Sequence, residues 1–104
     1  MHATIRRYEG VDQSRTDELT SKINESFAPK LSKLPGFSGY YLIETGNGVM
    51  SSLSLFENAE QAEESTRVAA TWLRDEQLQD AFPNSPKVTN GKVLARSNGA
   101  YVSV

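Results

Sequence analysis

Residue types that carry most enzyme chemistry are scarce in this chain of 104 residues. It has no cysteine, which excludes disulfides, thiolate metal sites and cysteine nucleophiles. Its single histidine, His2, lies at the chain start, where we expect a solvated strand residue rather than a catalytic base. A transition-metal site would need mostly carboxylates, and Glu60, Glu63 and Glu64 are better placed to favour a helix N-terminus. We therefore predict no metal site.

The remaining candidates are side chains that could bind a small molecule. Arg7, near the end of a predicted strand, would bind a carboxylate or enolate oxygen if it points inward, or pair with a nearby acid if it lies at the rim. Trp72 would form an aromatic pocket wall or pack in the core. The hydroxyls of Ser52 and Ser54 share a strand face, where they would meet an oxygenated ligand or a partner sheet.

Aromatic residues complete this candidate set. Neighbouring strand residues point to opposite faces, so at most one of Tyr40 and Tyr41 can line a pocket, and the other should contact a partner. Phe27 belongs to an apolar helical stripe. The predicted ligand-binding residues are Arg7, Phe27, Tyr41, Ser52, Ser54 and Trp72.

The patterns around these residues predict the elements that position them. The first strand has Ala3, Ile5 and Arg7 on one face and Thr4, Arg6 and Tyr8 on the other, and Arg7 points inward if Ala3 and Ile5 face the core. Amphipathic spacing predicts two helices, the second opened by a capping box, and Asn47-Gly48 predicts a hairpin. The predicted elements are strand 2–8, helix 14–34, strand 37–43, strand 49–56, a helix opening at 58–61, and strand 87–97.

This order, β-α-β-β-α-β, predicts an α+β domain of the ferredoxin-like class with a four-stranded antiparallel sheet over residues 1–97. Strand 37–43 is apolar on both faces, whereas two helices cover only one face, so we expect a homodimer. The tail 98–104 is expected to pair with a sheet edge or the partner, with disorder as the alternative.

Charge and hydropathy exclude several classes of partner. The net charge of −2 offers nucleic acid no general attraction, and the hairpin strand lacks the aromatics with which an RNA-recognition motif stacks bases. No apolar stretch is long enough to span a membrane, and no secretory signal opens the chain. We therefore expect a cytoplasmic protein that binds neither nucleic acid nor membrane.

Three segments together resemble a known superfamily: Leu34-Pro35-Gly36-Phe37, Leu53-Ser54-Leu55-Phe56-Glu57 and Asn58-Ala59-Glu60-Gln61-Ala62. They are similar to the antibiotic-biosynthesis-monooxygenase-like, dimeric α+β barrel superfamily, and the similarity spans nearly the whole chain. The resemblance implies a homodimer with a pocket between each sheet and its helices. Members include cofactor-free oxygenases of aromatic polyketides, haem-degrading enzymes and domains without known function.

The haem-degrading branch fits this chain poorly. It uses an asparagine on the first strand, a tryptophan on the second helix and a histidine near the end of that helix. Trp72 matches the tryptophan, but the first strand offers Thr4, Arg6 and Arg7, and no histidine follows Trp72. Because haem iron needs an axial ligand from the protein, we expect no haem. We expect no other cofactor either.

Two functions stay open at this point. The first is a cofactor-independent monooxygenase-like enzyme acting on a small aromatic or enolisable molecule, with the protein supplying binding and a base. The second is a non-catalytic small-ligand-binding or dimerisation module, which the shortage of interior titratable groups favours slightly.

Overall fold

A computed structural model describes residues 1–97 of the chain, so the predicted tail 98–104 lies outside the described residues. The four strands are β1 (His2–Tyr8), β2 (Phe37–Gly46), β3 (Val49–Phe56) and β4 (Lys87–Lys92). The α-helices are α1 (Thr16–Lys22), α2 (Ala28–Ser32) and α3 (Ala59–Asp75), with a 3-10 turn at Gln13–Arg15 and a π turn at Ile23–Phe27.

All strand pairs of the sheet are antiparallel, in the order β2-β3-β1-β4. This is the ferredoxin-like α+β class that the element order predicts. The last strand is shorter than predicted, because β4 ends at Lys92 instead of Ser97.

The predicted first helix is an irregular helical segment. Its π turn ends two residues before Pro29, which has no N–H to donate to the carbonyl group one turn earlier. The apolar stripe is nonetheless continuous across it, because Leu19, Ile23, Phe27 and Leu31 are all buried. The segment therefore covers the sheet as the sequence predicts.

The second helix, α3, forms as predicted. Asn58 Oδ1 accepts a hydrogen bond from Gln61 N at 2.9 Å, and Gln61 Oε1 accepts one from Asn58 N at 3.3 Å, which completes the capping box. Its buried face includes Ala62, Ser65, Ala69 and Trp72. Within residues 1–97, no helix combines the length and apolar character needed to cross a membrane.

The condition under which Arg7 would point inward, that Ala3 and Ile5 face the core, is not met in β1. Thr4, Arg6 and Tyr8 are buried under the helices, whereas Ile5 is 43% exposed on the opposite face. Pairing with β3 explains which alternate residues of β1 are buried. Arg6 lies opposite Ser52, and paired residues of neighbouring strands point to the same side of the sheet, where Ser52 is itself buried. Arg7 therefore points away from the helices.

The sheet face opposite the helices, which we call the outer face, carries exposed apolar side chains. In register, Ile5, Leu53 and Tyr41 lie side by side across three strands, and Ile43 lies next to Tyr41 on the same face. Tyr41 is 59% exposed and Ile43 is 49% exposed. Both faces of β2 thus carry large apolar groups, as its sequence predicts.

Candidate functional site

A small cavity lies between the helices and the sheet. Its volume of about 20 Å³ is enough for one water molecule. Its lining is largely aromatic and aliphatic, and the most polar side chains in it belong to Arg6 and Ser52. The lining residues are Arg6, Tyr8, Ile23, Phe27, Tyr40, Leu42, Ser52, Ala69, Trp72, Leu73 and Phe82.

The Arg6 guanidinium is the central polar group of this site. Arg6 is 1% exposed, and within residues 1–97 its two terminal nitrogens donate hydrogen bonds only to hydroxyl groups. One nitrogen, Nη1, donates to Ser65 Oγ at 3.1 Å and to Thr66 Oγ1 at 3.3 Å. The other, Nη2, donates to Ser54 Oγ at 2.9 Å. These partners are neutral, so they orient the charge without compensating it.

No acid balances this buried charge within residues 1–97, where no carboxylate oxygen lies within 4.0 Å of Arg6. Arg6 Nε and Ser52 Oγ are also buried without any hydrogen-bond partner. Burial lowers the pKa of Arg6, although an arginine this basic keeps its proton in a protein. An isolated buried charge is costly, so the arrangement is typical of a functional site rather than of a stabilising one.

Aromatic rings form the wall that faces Arg6. Phe27 packs edge-on against Tyr40 and tilted against Trp72, with ring centroids 5.4 and 5.1 Å apart. Trp72 Nε1 donates a hydrogen bond to Ser26 Oγ at 2.9 Å. Because Ser26 belongs to the π turn, this bond fixes the orientation of the indole ring relative to that turn. The wall therefore closes the cavity with apolar rings on the side that faces the helices.

The two tyrosines beside Arg6 are hydrogen-bond donors rather than bases at neutral pH. Burial raises the pKa of Tyr40 to about 12, and burial also raises the pKa of Tyr8. The positive charge of Arg6 opposes both shifts without cancelling them. No histidine, aspartate or glutamate lies among the cavity-lining residues of the described chain. The site can thus stabilise negative charge, but it has no ordinary side-chain base.

The structure brings together only part of the predicted site. Phe27, Ser52 and Trp72 line the cavity, and Ser54 lies behind it as a partner of Arg6. Whether they bind a ligand stays a prediction.

Arg7 and Tyr41, two of the predicted ligand-binding residues, lie outside the cavity, because strand alternation turns both to the outer face. Arg7 is half-exposed and forms the rim ion pair that its alternative interpretation describes, with Nη1 3.0 Å from Glu9 Oε1. Tyr40, the neighbour of Tyr41, lines the cavity instead.

Arg6 and Tyr8 are the site residues that sequence reasoning missed. A signal for them was present, since Met50, Ser52, Ser54 and Phe56 share one face of β3, and pairing places Arg6 on that same face. Two serines between two large apolar residues indicate a buried polar partner across the sheet.

Comparison with known proteins identifies the fold. No protein-family model and no curated protein sequence matches this chain. Among solved structures, NE2512, a protein of unknown function from Nitrosomonas europaea, is 14% identical with a TM-score of 0.72, covering 96% of this chain and 95% of its own. A provisionally named antibiotic biosynthesis monooxygenase from the same organism is 14% identical with a TM-score of 0.70, covering 91% of this chain and 100% of its own.

The chain has the antibiotic-biosynthesis-monooxygenase-like fold. A third similar structure, a variant of MhuD with two manganese protoporphyrin IX molecules per active site, is 18% identical with a TM-score of 0.72. The match covers 95% of this chain and 100% of the MhuD chain. At these identities the likeness establishes the monooxygenase-like fold, and it confirms the resemblance found in the sequence.

The residues of this monooxygenase-like domain do not fit a metalloporphyrin. The only histidine of the chain, His2, is not among the cavity-lining residues, and the Trp72 N–H is already bonded to Ser26. A cavity with room for one water is also far too small for a porphyrin.

Adding haemin to the purified protein is therefore expected to give weak, non-stoichiometric absorbance changes. Among the cavity-lining residues that the structure describes there is no histidine, cysteine or methionine, and burial raises the pKa of Tyr8 and Tyr40, which disfavours the tyrosinate form that would bind iron. Absorption titration measures this directly. A sharp Soret band at one haem per subunit that disappears in Trp72→Ala would contradict the expectation.

Proposed function

We propose that this protein is a homodimeric, cofactor-independent monooxygenase-like enzyme acting on a small aromatic, enolisable molecule. The observation that carries the proposal is the buried Arg6 guanidinium, which faces an aromatic cavity and has no acid of residues 1–97 within ion-pair distance to neutralise it. A positive charge held in a water-poor site stabilises negative charge far better than it would in water.

The chain's own residues suggest how catalysis would proceed. Arg6, held by the hydroxyls of Ser54, Ser65 and Thr66, would bind the substrate oxygen and stabilise its ionised, enolate form. The wall formed by Phe27 and Trp72 would close the apolar side of the cavity around that oxygen. Since the cavity lining of residues 1–97 offers no base, the substrate proton would leave to solvent, which restricts the substrate to acidic enols.

The reaction balances without a cofactor. The enolate carbon transfers electrons to dioxygen and bonds to it, and protonation gives a hydroperoxide. Loss of water from this hydroperoxide converts the substrate CH₂ group to a carbonyl. Overall, one RCH₂R′ and one O₂ give one RC(=O)R′ and one H₂O, so the substrate is the only reductant.

The outer face supports the homodimer. Exposed Ile5, Tyr41 and Ile43 form the kind of apolar surface that marks a protein contact, and a second sheet packed on it would bury them. The lack of cysteine is compatible with the reducing cytoplasm, which stays the expected location.

Oxygen consumption with enolisable aromatic ketones such as anthrone and 2-tetralone tests the activity. We expect turnover above the uncatalysed rate, and Arg6→Gln should lower it about 10²- to 10³-fold, the usual loss when one group that stabilises an oxyanion is removed. Arg7→Gln makes the same change on the outer face and is expected to keep the rate. Equal loss in both variants, or no turnover with any ketone, would overturn the proposal.

A second function, non-catalytic binding of the same class of molecule, is favoured by one observation, the missing base among the described cavity residues. It predicts ligand binding at Arg6 with no oxygen consumption. The oxygen measurement thus separates the two functions.

A further inference from the structure

The cavity at Arg6 is too small to hold an aromatic ring, but it adjoins a larger surface groove. This groove has a volume of about 470 Å³, within the range of sites for small molecules. Cavity and groove share four lining residues, Arg6, Tyr8, Leu73 and Phe82. The buried Arg6 thus borders both spaces.

The groove is formed by three elements. One wall is the exposed side of α3, with Thr66 and Ala70, and the opposite wall is Val88 of β4. The segment that joins α3 to β4 closes the third side with Gln79 and residues 82–86. Among the groove-lining residues that the structure describes, Arg6 alone carries a formal charge, so it alone sets the charge preference of the groove.

Two polar atoms in this region have no hydrogen-bond partner in the part of the chain that the structure describes. Arg6 Nε and Ser52 Oγ are buried and unpaired, and their residues are cross-strand neighbours that both line the cavity. Buried donors without partners cost free energy, and a ligand oxygen in the water-sized cavity would satisfy them. An anionic oxygen would also balance the Arg6 charge.

We infer that the ligand is an extended aromatic anion, whose ring system lies in the groove along α3 while a terminal carboxylate or enolate oxygen enters the cavity at Arg6 and Ser52. This inference rests on the proposed function, because it names the substrate class of the same site. A fused-ring acid or enol with its ionised oxygen at one end fits the two spaces. A compact ligand with a central oxygen does not.

Calorimetric titration with 2-naphthoate and with 2-naphthamide, its uncharged counterpart of the same shape, tests the charge preference. We expect naphthoate to bind about ten- to a hundredfold more tightly, the range for a hydrogen bond to a charged group. Arg6→Gln should remove the difference. Equal binding of the two probes, no binding of either, or an unchanged difference in Arg6→Gln would overturn the inference.

A second variant tests the position of the ring and does not depend on the folding of an Arg6 variant. Ala70 is exposed on α3, so Ala70→Phe should fill the groove without disturbing the core, and it should weaken naphthoate binding at least about tenfold. Glu63→Phe makes an equally large change on an exposed α3 residue outside the groove and should leave binding as it is. Equal effects of the two variants would overturn the inference.

These measurements contain no turnover, so they are independent of the oxygen assay. Charge-selective binding without oxygen consumption would contradict the proposed enzyme activity and support the inferred ligand class. Oxygen consumption with equal binding of naphthoate and naphthamide would support the proposed enzyme activity and contradict the inferred ligand class.

Discussion

Sedimentation at micromolar protein concentration is expected to show a dimer, and Ile43→Asp is expected to dissociate it. Ile43 is half-exposed on the outer face, beside Tyr41, and a second copy packed there would bury it. An unpaired carboxylate in that contact costs several kcal/mol, which corresponds to an increase of the dissociation constant of about a hundredfold or more. Sedimentation velocity over a concentration series measures this change.

The control for this prediction is Ser21→Asp, which adds the same charge on an exposed helical residue away from the outer face. It should stay dimeric, with the circular dichroism of the unmodified protein. A monomeric unmodified protein, or an Ile43→Asp variant that stays fully dimeric, would contradict the proposed interface.

Arg6→Met is expected to separate stability from ligand binding. Replacing a buried charge by an apolar side chain of similar length usually leaves a protein between unchanged and about 2 kcal/mol more stable. Three hydroxyls lose a donor, but Ser65 Oγ keeps its own bond to the Ala62 carbonyl, so the loss is partly offset. Denaturant unfolding measures the stability, and naphthoate titration should show that binding is lost.

A purely structural Arg6 would behave differently. If its three hydroxyl contacts were there to hold the sheet against α3, Arg6→Met would be destabilised by several kcal/mol. Tyr8→Phe provides a reference, since it changes a neighbouring buried residue without touching the charge. A large destabilisation confined to Arg6→Met would contradict a functional role.

Element order and the apolar helical stripes were predictable, because amphipathic periodicity, a capping box and an Asn-Gly hairpin act locally. The core face of β1 could not be predicted in this way. Ala3 and Ile5 are more apolar than Thr4 and Arg6, so hydropathy favours the wrong face. The error is physical in origin, since the outer face is apolar as well, while the inner face buries an arginine with hydroxyl partners.

The choice of strand face also determined which arginine was selected for the site. Arg7 was selected because it shares a face with Ile5. In the structure the arginine that lines the cavity is the preceding residue, Arg6. Cavity volume and the adjoining groove depend on how α3 and the following segment pack, which no local pattern specifies. Phe27 and Trp72 were predictable because both lie on buried helix stripes.

The most direct test of the central claim, that Arg6 stabilises an anionic oxygen, is the pKa of a bound enol-like probe such as 4-nitro-1-naphthol, measured by absorbance. Burial alone would raise the pKa of the bound hydroxyl, whereas a nearby unpaired cation lowers it, so the sign identifies the dominant effect. We predict a bound pKa at least about one unit below that of the free probe, with the depression absent in Arg6→Met. A bound pKa equal to or above the free value would contradict the account.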